Sequence, residues 1–244
     1  FMNEEDITLI SPHQAPGLYE AYGTEDFDDL YLKYEADKTI PKKTVAAQDL
    51  FGDLLKERAE TGRIYIMNLD HCNSHSSFKD KVSMSNLCQE ITLPTTPIQD
   101  IHDDQGEIAL CILSAVNVGG LNDLGELESI CDLAVRALEQ IIDYQDYPVK
   151  AAEVSTKKRR SLGIGYIGLA HYLAKHGAKY SDPKAWDLVD RLSEAFQYHL
   201  LRASCNIAME KGKCEAFDRT KYADGQLPID HYKKDVDKIV PHKQ

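Results

Sequence analysis

The sequence predicts an α/β fold on three observations. Short apolar runs of strand length, at 63–68 and 108–113, alternate with longer segments whose apolar residues recur at helical spacing. Start and stop residues bracket the helical segments. No repeat or low-complexity stretch interrupts the alternation.

Residues 1–43 are turn-rich and acidic, punctuated by Pro12, Pro16, Gly17, Gly23 and Pro41. The aromatics Tyr19, Tyr22, Phe27, Tyr31 and Tyr34 read as a segment packed on a larger body. Ala47, Leu50, Phe51, Leu54 and Leu55 predict an amphipathic helix over 44–60, ended near Thr61-Gly62. A buried strand is expected at 63–68, a polar loop over 69–85, and a short extended stretch at 86–91 closed by Pro94 and Pro97. The second apolar strand follows at 108–113. Asp123 and Glu126 have capping-box spacing. Leu127, Ile130, Cys131, Ala134, Leu138, Ile141 and Ile142 then form a helical stripe to about residue 143. Residues 148–160 read as a loop ending in the basic run Lys157-Lys158-Arg159-Arg160. A helix is expected over 164–176, stopped by Gly177. Asp182 and Pro183 open another, striped by Trp186, Val189, Leu192, Phe196, Leu200, Ala203 and Ile207 and stopped by Gly212. An incomplete helix is expected at 232–240.

The 244 residues carry 40 acidic and 28 basic side chains, for a net charge of −12. Hydrophobic residues at 43% and charged residues at 28% are ordinary globular proportions, so disorder is excluded as the main state. The acidic balance argues against a non-specific nucleic-acid binder, which needs clustered Lys and Arg. No apolar run reaches the ~18–20 residues of a membrane span, and no secretion signal is visible. A reducing, cytoplasmic setting is therefore expected. There the six cysteines, Cys72, Cys88, Cys111, Cys131, Cys205 and Cys214, serve packing, metal binding or redox chemistry rather than a disulfide scaffold. Cys131 and Cys205 fall on or beside helical apolar stripes and read as core. The chain starts Phe1-Met2, which is not a natural initiation, so a piece of a longer protein is expected.

Four constellations could carry chemistry. In Asn86-Leu87-Cys88-Gln89-Glu90 an extended backbone would project Asn86, Cys88 and Glu90 to one side and Leu87 and Gln89 to the other. That would group an amide, a thiol and a carboxylate, competent to orient a hydroxyl, to act as nucleophile or one-electron centre, and to act as base. Periodicity alone favours the plainer reading, a buried cysteine between two surface polar groups, because such triplets are common by chance. Cys111, inside an apolar strand, is either a small hydrophobe or a redox thiol. His71-Cys72-Asn73-Ser74-His75 offers three potential metal ligands, but a structural zinc needs four and no second cluster follows, so no metal is expected. Gly163-Ile164-Gly165-Tyr166-Ile167-Gly168 is a literal G-x-G-x-x-G. No apolar strand is read before it and no acidic residue ends a strand about 20 residues later, so a dinucleotide site is not expected.

The stretch Ser85-Asn86-Leu87-Cys88-Gln89-Glu90-Ile91 resembles the class I (aerobic) ribonucleotide reductase large subunit. Further blocks do so in the same order: Thr61 to Ile66 followed by Asp70 to Asn73, Gly106 to Cys111 with Leu113 to Ala115, Asp143 to Pro148, and Arg159 to Gly165. The likeness runs essentially end to end. It implies a partial catalytic domain over 1–244, part of a ten-stranded α/β barrel with a central cysteine-bearing finger loop at about 84–94. By resemblance, Cys88 is the thiyl-radical cysteine, Glu90 the base at the 3′ hydroxyl and Asn86 a substrate hydrogen-bonder. Residues 86–90 line the ribonucleoside diphosphate. Cys111 is one of two redox cysteines, its partner lying outside this chain. No cofactor is expected on the chain itself. The resemblance implies a metal-containing, radical-generating small subunit, the remaining parts of the large subunit, and thioredoxin or glutaredoxin as partners. It implies ATP and dNTP effectors on parts absent here, including the regulatory N-terminal domain, the first barrel strands and the C-terminal part. A non-catalytic module that keeps the fold is the second reading. An anaerobic glycyl-radical relative is disfavoured by the carboxylate two residues after Cys88.

Overall fold

The computed structural model describes residues 5–231, and the helix expected at 232–240 lies outside them. The chain divides into two compact units. Among the described residues, those up to Pro94 together with 226–231 belong to the first, and Thr95–Gly225 form the second.

In the first unit β1 (Asp6–Ile10) pairs antiparallel with β2 (Lys42–Ala46), Asp6 opposite Ala46 and Ile10 opposite Lys42. Between them run the short helix α1 (Leu18–Ala21) and α2 (Asp26–Ala36). The Tyr31 hydroxyl of α2 donates to the Thr8 carbonyl at 2.7 Å and accepts the Thr8 N–H at 2.8 Å, tying the helix to β1. Helix α3 (Ala47–Thr61) ends at Gly62, whose φ of +66° suits a residue without a side chain and whose N–H returns to the Arg58 carbonyl at 2.9 Å. The helix expected over 44–60 is thus present, except that its first residues belong to β2.

Two expectations in this unit are corrected. Residues 63–68 form no strand: Tyr65 is 47% and Ile66 58% exposed, and among the described residues no neighbouring strand offers a ladder. A strand is defined by its partner, and apolar composition does not supply one. Residues 69–85 are not all loop, because α4 (Leu69–His75) opens them. Buried Leu69 anchors that helix, and the Asn73 carboxamide braces it to the next segment. Its Nδ2 donates to the Leu69 and Val82 carbonyls, both at 3.0 Å, and its Oδ1 accepts the Val82 N–H at 2.7 Å.

In the second unit β3 (Ile112–Asn117) pairs parallel with β4 (Leu162–Ile167), Leu113 opposite Gly163. The crossover carries α5 (Leu127–Tyr144) and α6 (Lys150–Arg159). Helices α7 (Leu169–Lys175) and α8 (Pro183–Lys211) follow. The α/β class is as expected. The core gathers Val116, Val118, Leu127, Cys131, Leu173, Leu192 and Phe196. Each large aliphatic side chain buried there contributes roughly 1.5–3 kcal/mol. Arg136 of α5 grips Glu210 of α8 with two bonds of 2.7 Å, and Arg202 of α8 meets Glu128 of α5 at 2.8 Å.

Element boundaries shift here too. The second strand starts at Ile112, not 108, because the preceding residues are held by other partners: Glu107 bridges Thr96 with bonds of 3.0 and 3.1 Å, and the Ile108 N–H donates to the Ala151 carbonyl. The expected loop 148–160 contains α6. Its buried face is Ala151, Ala152, Ser155, Thr156 and Arg159, small and polar residues that show no aliphatic stripe. The helix expected from 164 starts only at Leu169, after β4. Trp186 stands 65% exposed rather than in the α8 core. Among the described residues no helix is long and apolar enough to cross a membrane.

Candidate functional site

Asn86–Gln89 is a tight turn and not the extended stretch that alternation requires. The Gln89 N–H donates to the Asn86 carbonyl at 3.1 Å, and Gln89 takes a left-handed φ of +62°. The inference that Asn86, Cys88 and Glu90 share one side of a strand is therefore corrected, since a period of two applies only while the chain stays extended. Leu87 and Cys88 form the tip, with Leu87 83% exposed, Cys88 and Glu90 exposed and Gln89 half-buried.

The turn is closed by side chains. Asn86 Oδ1 accepts the Ile91 N–H at 3.0 Å. The Ser85 hydroxyl donates to the Ile91 carbonyl at 3.0 Å and lies 3.3 Å from Asn86 Oδ1. Asn86 Oδ1 is thus engaged by its own loop. Ser85, which the sequence shows only as the first residue of a matching block, braces the turn that carries Cys88. An Asx-type residue and a hydroxyl flanking a short polar run were the available signal.

Cys111 belongs to the second unit, just before β3. It is half-buried, and its Sγ lies 3.8 Å from the Ile112 carbonyl, a long thiol contact. A charge cluster sits four residues upstream. Glu107, 4% exposed, accepts from Arg159 Nε at 2.5 Å and Lys158 Nζ at 3.2 Å, with Arg219 3.7 Å away. Burial pushes the Glu107 carboxyl up, but the hydrogen bonds and charges of Arg159 and Lys158 outweigh it and hold it below the usual glutamate range. The basic run thus closes a helix on acidic partners. Lys157 pairs with Glu153 at 2.8 Å, and Arg160 forks onto Asp143 at 2.9 Å while also reaching Glu139.

The other cysteines divide by burial. Cys131 is fully buried, and desolvation pushes its thiol up to about 11. Cys205, expected in the core, is exposed: it lies beside the α8 stripe rather than on it. Cys214 is half-buried, and burial raises its thiol as well. His71, Cys72 and His75 lie on α4. His75 Nδ1 is 2.9 Å from Ser74 Oγ and 3.0 Å from the His71 carbonyl. Among the described residues no three His, Cys, Asp or Glu side chains gather as a metal site.

The G-x-G-x-x-G glycines do not sit as a dinucleotide loop would need. Gly163 and Gly165 lie within β4, and only Gly168, at φ +78°, makes the strand-to-helix turn. A phosphate cradle requires the glycines together after the strand, with free backbone N–H groups at a helix start.

This arrangement of an exposed cysteine on a braced turn, a second thiol at a strand start and an α/β core can be set beside known proteins. The family model described as "Ribonucleotide reductase, barrel domain" matches residues 1–243, and the chain belongs to that family. It is 57% identical over 239 residues to the ribonucleoside-diphosphate reductase subunit alpha of Haemophilus influenzae, covering 96% of this chain and 32% of that protein. It is 55% identical over 240 residues to the ribonucleoside-diphosphate reductase 1 subunit alpha of Escherichia coli, with the same coverage. The subunit alpha of Enterobacteria phage T4 is 40% identical over 251 residues, covering all of this chain and 32% of the relative. The chain spans about a third of the length of these curated relatives.

Proposed function

We propose that this chain is the catalytic-loop segment of a class I ribonucleoside-diphosphate reductase large subunit. The observation that carries the reading is Cys88 at the exposed tip of a side-chain-braced turn, with Glu90 two residues on, in a chain of this family. In the assembled protein β3 and β4 contribute to the ten-stranded barrel, and the 84–94 segment is the finger loop at its centre. Residues 86–90 meet the ribonucleoside diphosphate.

In this reading a radical-generating small subunit oxidises Cys88 by one electron. The thiyl takes the 3′ hydrogen atom of the ribose, Glu90 takes the 3′ hydroxyl proton, and Asn86 orients the sugar through its amide. The 2′ hydroxyl leaves as water. Cys111 and a second cysteine outside this chain supply the two electrons and close to a disulfide. The hydrogen atom returns to C3′, so Cys88 is again a thiyl. Net, one ribonucleoside diphosphate and one dithiol give one deoxyribonucleoside diphosphate, one water and one disulfide. Thioredoxin or glutaredoxin reopens the disulfide, and nucleotide effectors act on other parts of the subunit. Enclosure of the loop shields the radical from solvent. The setting is cytoplasmic.

The test is reconstitution of the segment with the complementary large-subunit parts, a radical-generating subunit and a dithiol. The 244-residue chain alone is expected to be inactive, because one redox cysteine is missing. In the reconstituted enzyme Cys88→Ser abolishes nucleotide reduction, since a serine O–H bond is too strong for the thiyl route. Cys111→Ser still permits 3′ hydrogen abstraction and yields substrate decomposition in place of clean product. Product and radical-decomposition assays run side by side read both. Turnover by Cys88→Ser would sink the reading.

A further inference from the structure

We propose that Gly163 is a positioning residue for Cys111: its missing side chain is the space the thiol occupies. The proposal rests on the reading of Cys111 as a redox thiol for its meaning, but not for its geometry.

Gly163 stands on β4 opposite Leu113 of β3, two residues beyond Cys111 on the neighbouring strand. Its φ is not positive, so the backbone there accepts any L-residue. The requirement for glycine is therefore one of space. A β-carbon at Gly163 would fall 2.9 Å from Cys111 Sγ and 2.5 Å from Leu113 Cδ2. The two clashes differ in kind. Leu113 is 59% exposed and has two side-chain torsions, so its methyl can swing into solvent. The cysteine sulfur turns on a single torsion and must leave its staggered well or push the strands apart. Gly165, two residues further along the same strand and facing the same way, has nothing within 4 Å of its would-be β-carbon. The literal G-x-G motif thus holds one glycine that the thiol needs and one that it does not.

A dithiol that must close to a disulfide needs its sulfur in a defined place, because S–S bond formation tolerates only a narrow range of torsions and Cβ separations. Gly163 leaves the Cys111 sulfur lodged against β4. A methyl there would expel it toward solvent, on the side where the residue is already half-exposed.

The experiment is alkylation of the 244-residue chain by iodoacetamide, with the rate at each cysteine read by peptide mass mapping. Exposed Cys205 serves as the internal reference. Gly163→Ala is expected to raise the Cys111 rate at least about threefold relative to Cys205, through greater thiol access. Gly165→Ala is expected to leave it unchanged. The double variant Leu113→Ala with Gly163→Ala removes the leucine clash and covers the case in which the single variant fails to fold. An unchanged or lowered Cys111 rate in a folded Gly163→Ala or double variant overturns the proposal, as does an equal rise in Gly165→Ala. The redox reading fails separately, if Cys111→Ser in the reconstituted enzyme keeps full dithiol-dependent turnover.

Discussion

Cys131 and Cys205 show how much one helical position decides. Cys131 is sealed in the core, with its thiol pushed up to about 11, so almost no thiolate exists at neutral pH and the sulfur behaves as a small hydrophobe. Cys205 projects to the surface. Cys131→Ser is expected to cost ~1–3 kcal/mol, because the new hydroxyl would be buried where a thiol lay. Cys205→Ser should stay within about 0.5 kcal/mol of the parent, as surface changes do. Urea midpoints of the two variants check both. A Cys131→Ser protein as stable as the parent would mean that the hydroxyl finds a partner in the core. At this scale the sequence was most legible where a residue carries its own chemistry. Cys88, Glu90 and Asn86 could be singled out by type and order. Their relative placement could not, because a side-chain-closed turn and a strand can share the same six letters. The Ser85, Asn86 and Ile91 bonds, with the left-handed Gln89 backbone, decide between them.

At the scale of elements, long helices with large aliphatic stripes were readable. Helices α5 and α8 fall at 127–144 and 183–211, where apolar spacing and caps put them. Helix α6 was hidden because its inner face is made of Ala, Ser, Thr and an arginine, and an amphipathic pattern in small residues looks like a loop. What holds α6 is electrostatic. Lys158 and Arg159 in its last turn close on buried Glu107. Breaking such a buried pair leaves an uncompensated charge, so Glu107→Gln should cost about 3 kcal/mol at neutral pH. The pH dependence follows from the sign of the shift. The Glu107 carboxyl titrates lower in the folded state than in the unfolded chain. Its stabilisation is therefore complete above the ordinary carboxylate range of about 4 and is lost as pH falls through the lower folded value. Denaturation of parent and Glu107→Gln at pH 7 and pH 3 should show the gap between them shrink on acidification. A gap that stays constant refutes the assignment. The strands were the least legible elements, since 63–68 and 108–111 are apolar yet belong to no strand of the described residues, while glycine-bearing 162–167 is a strand because β3 lies beside it.

For the whole chain, both sheets have two strands, so among the described residues every strand has one edge without a ladder partner. Leu113 and Ile167 of the parallel pair are 59% and 57% exposed. Open edges and apolar sheet faces invite association. The isolated 244-residue chain is expected to self-associate with rising concentration in sedimentation velocity, and Leu113→Lys to reduce this. A chain that stays monomeric at all concentrations would count against that view. The parallel register also orders events in time. The strand partner of Leu113 is Gly163, some fifty residues later in the chain. At a synthesis rate of ~5–20 residues per second, roughly 3–10 s separate the emergence of Cys111 from that of the strand that will shelter it. For those seconds the sulfur lies bare on a nascent chain. The reducing power of its surroundings then matters before the protein has folded, well ahead of any turnover.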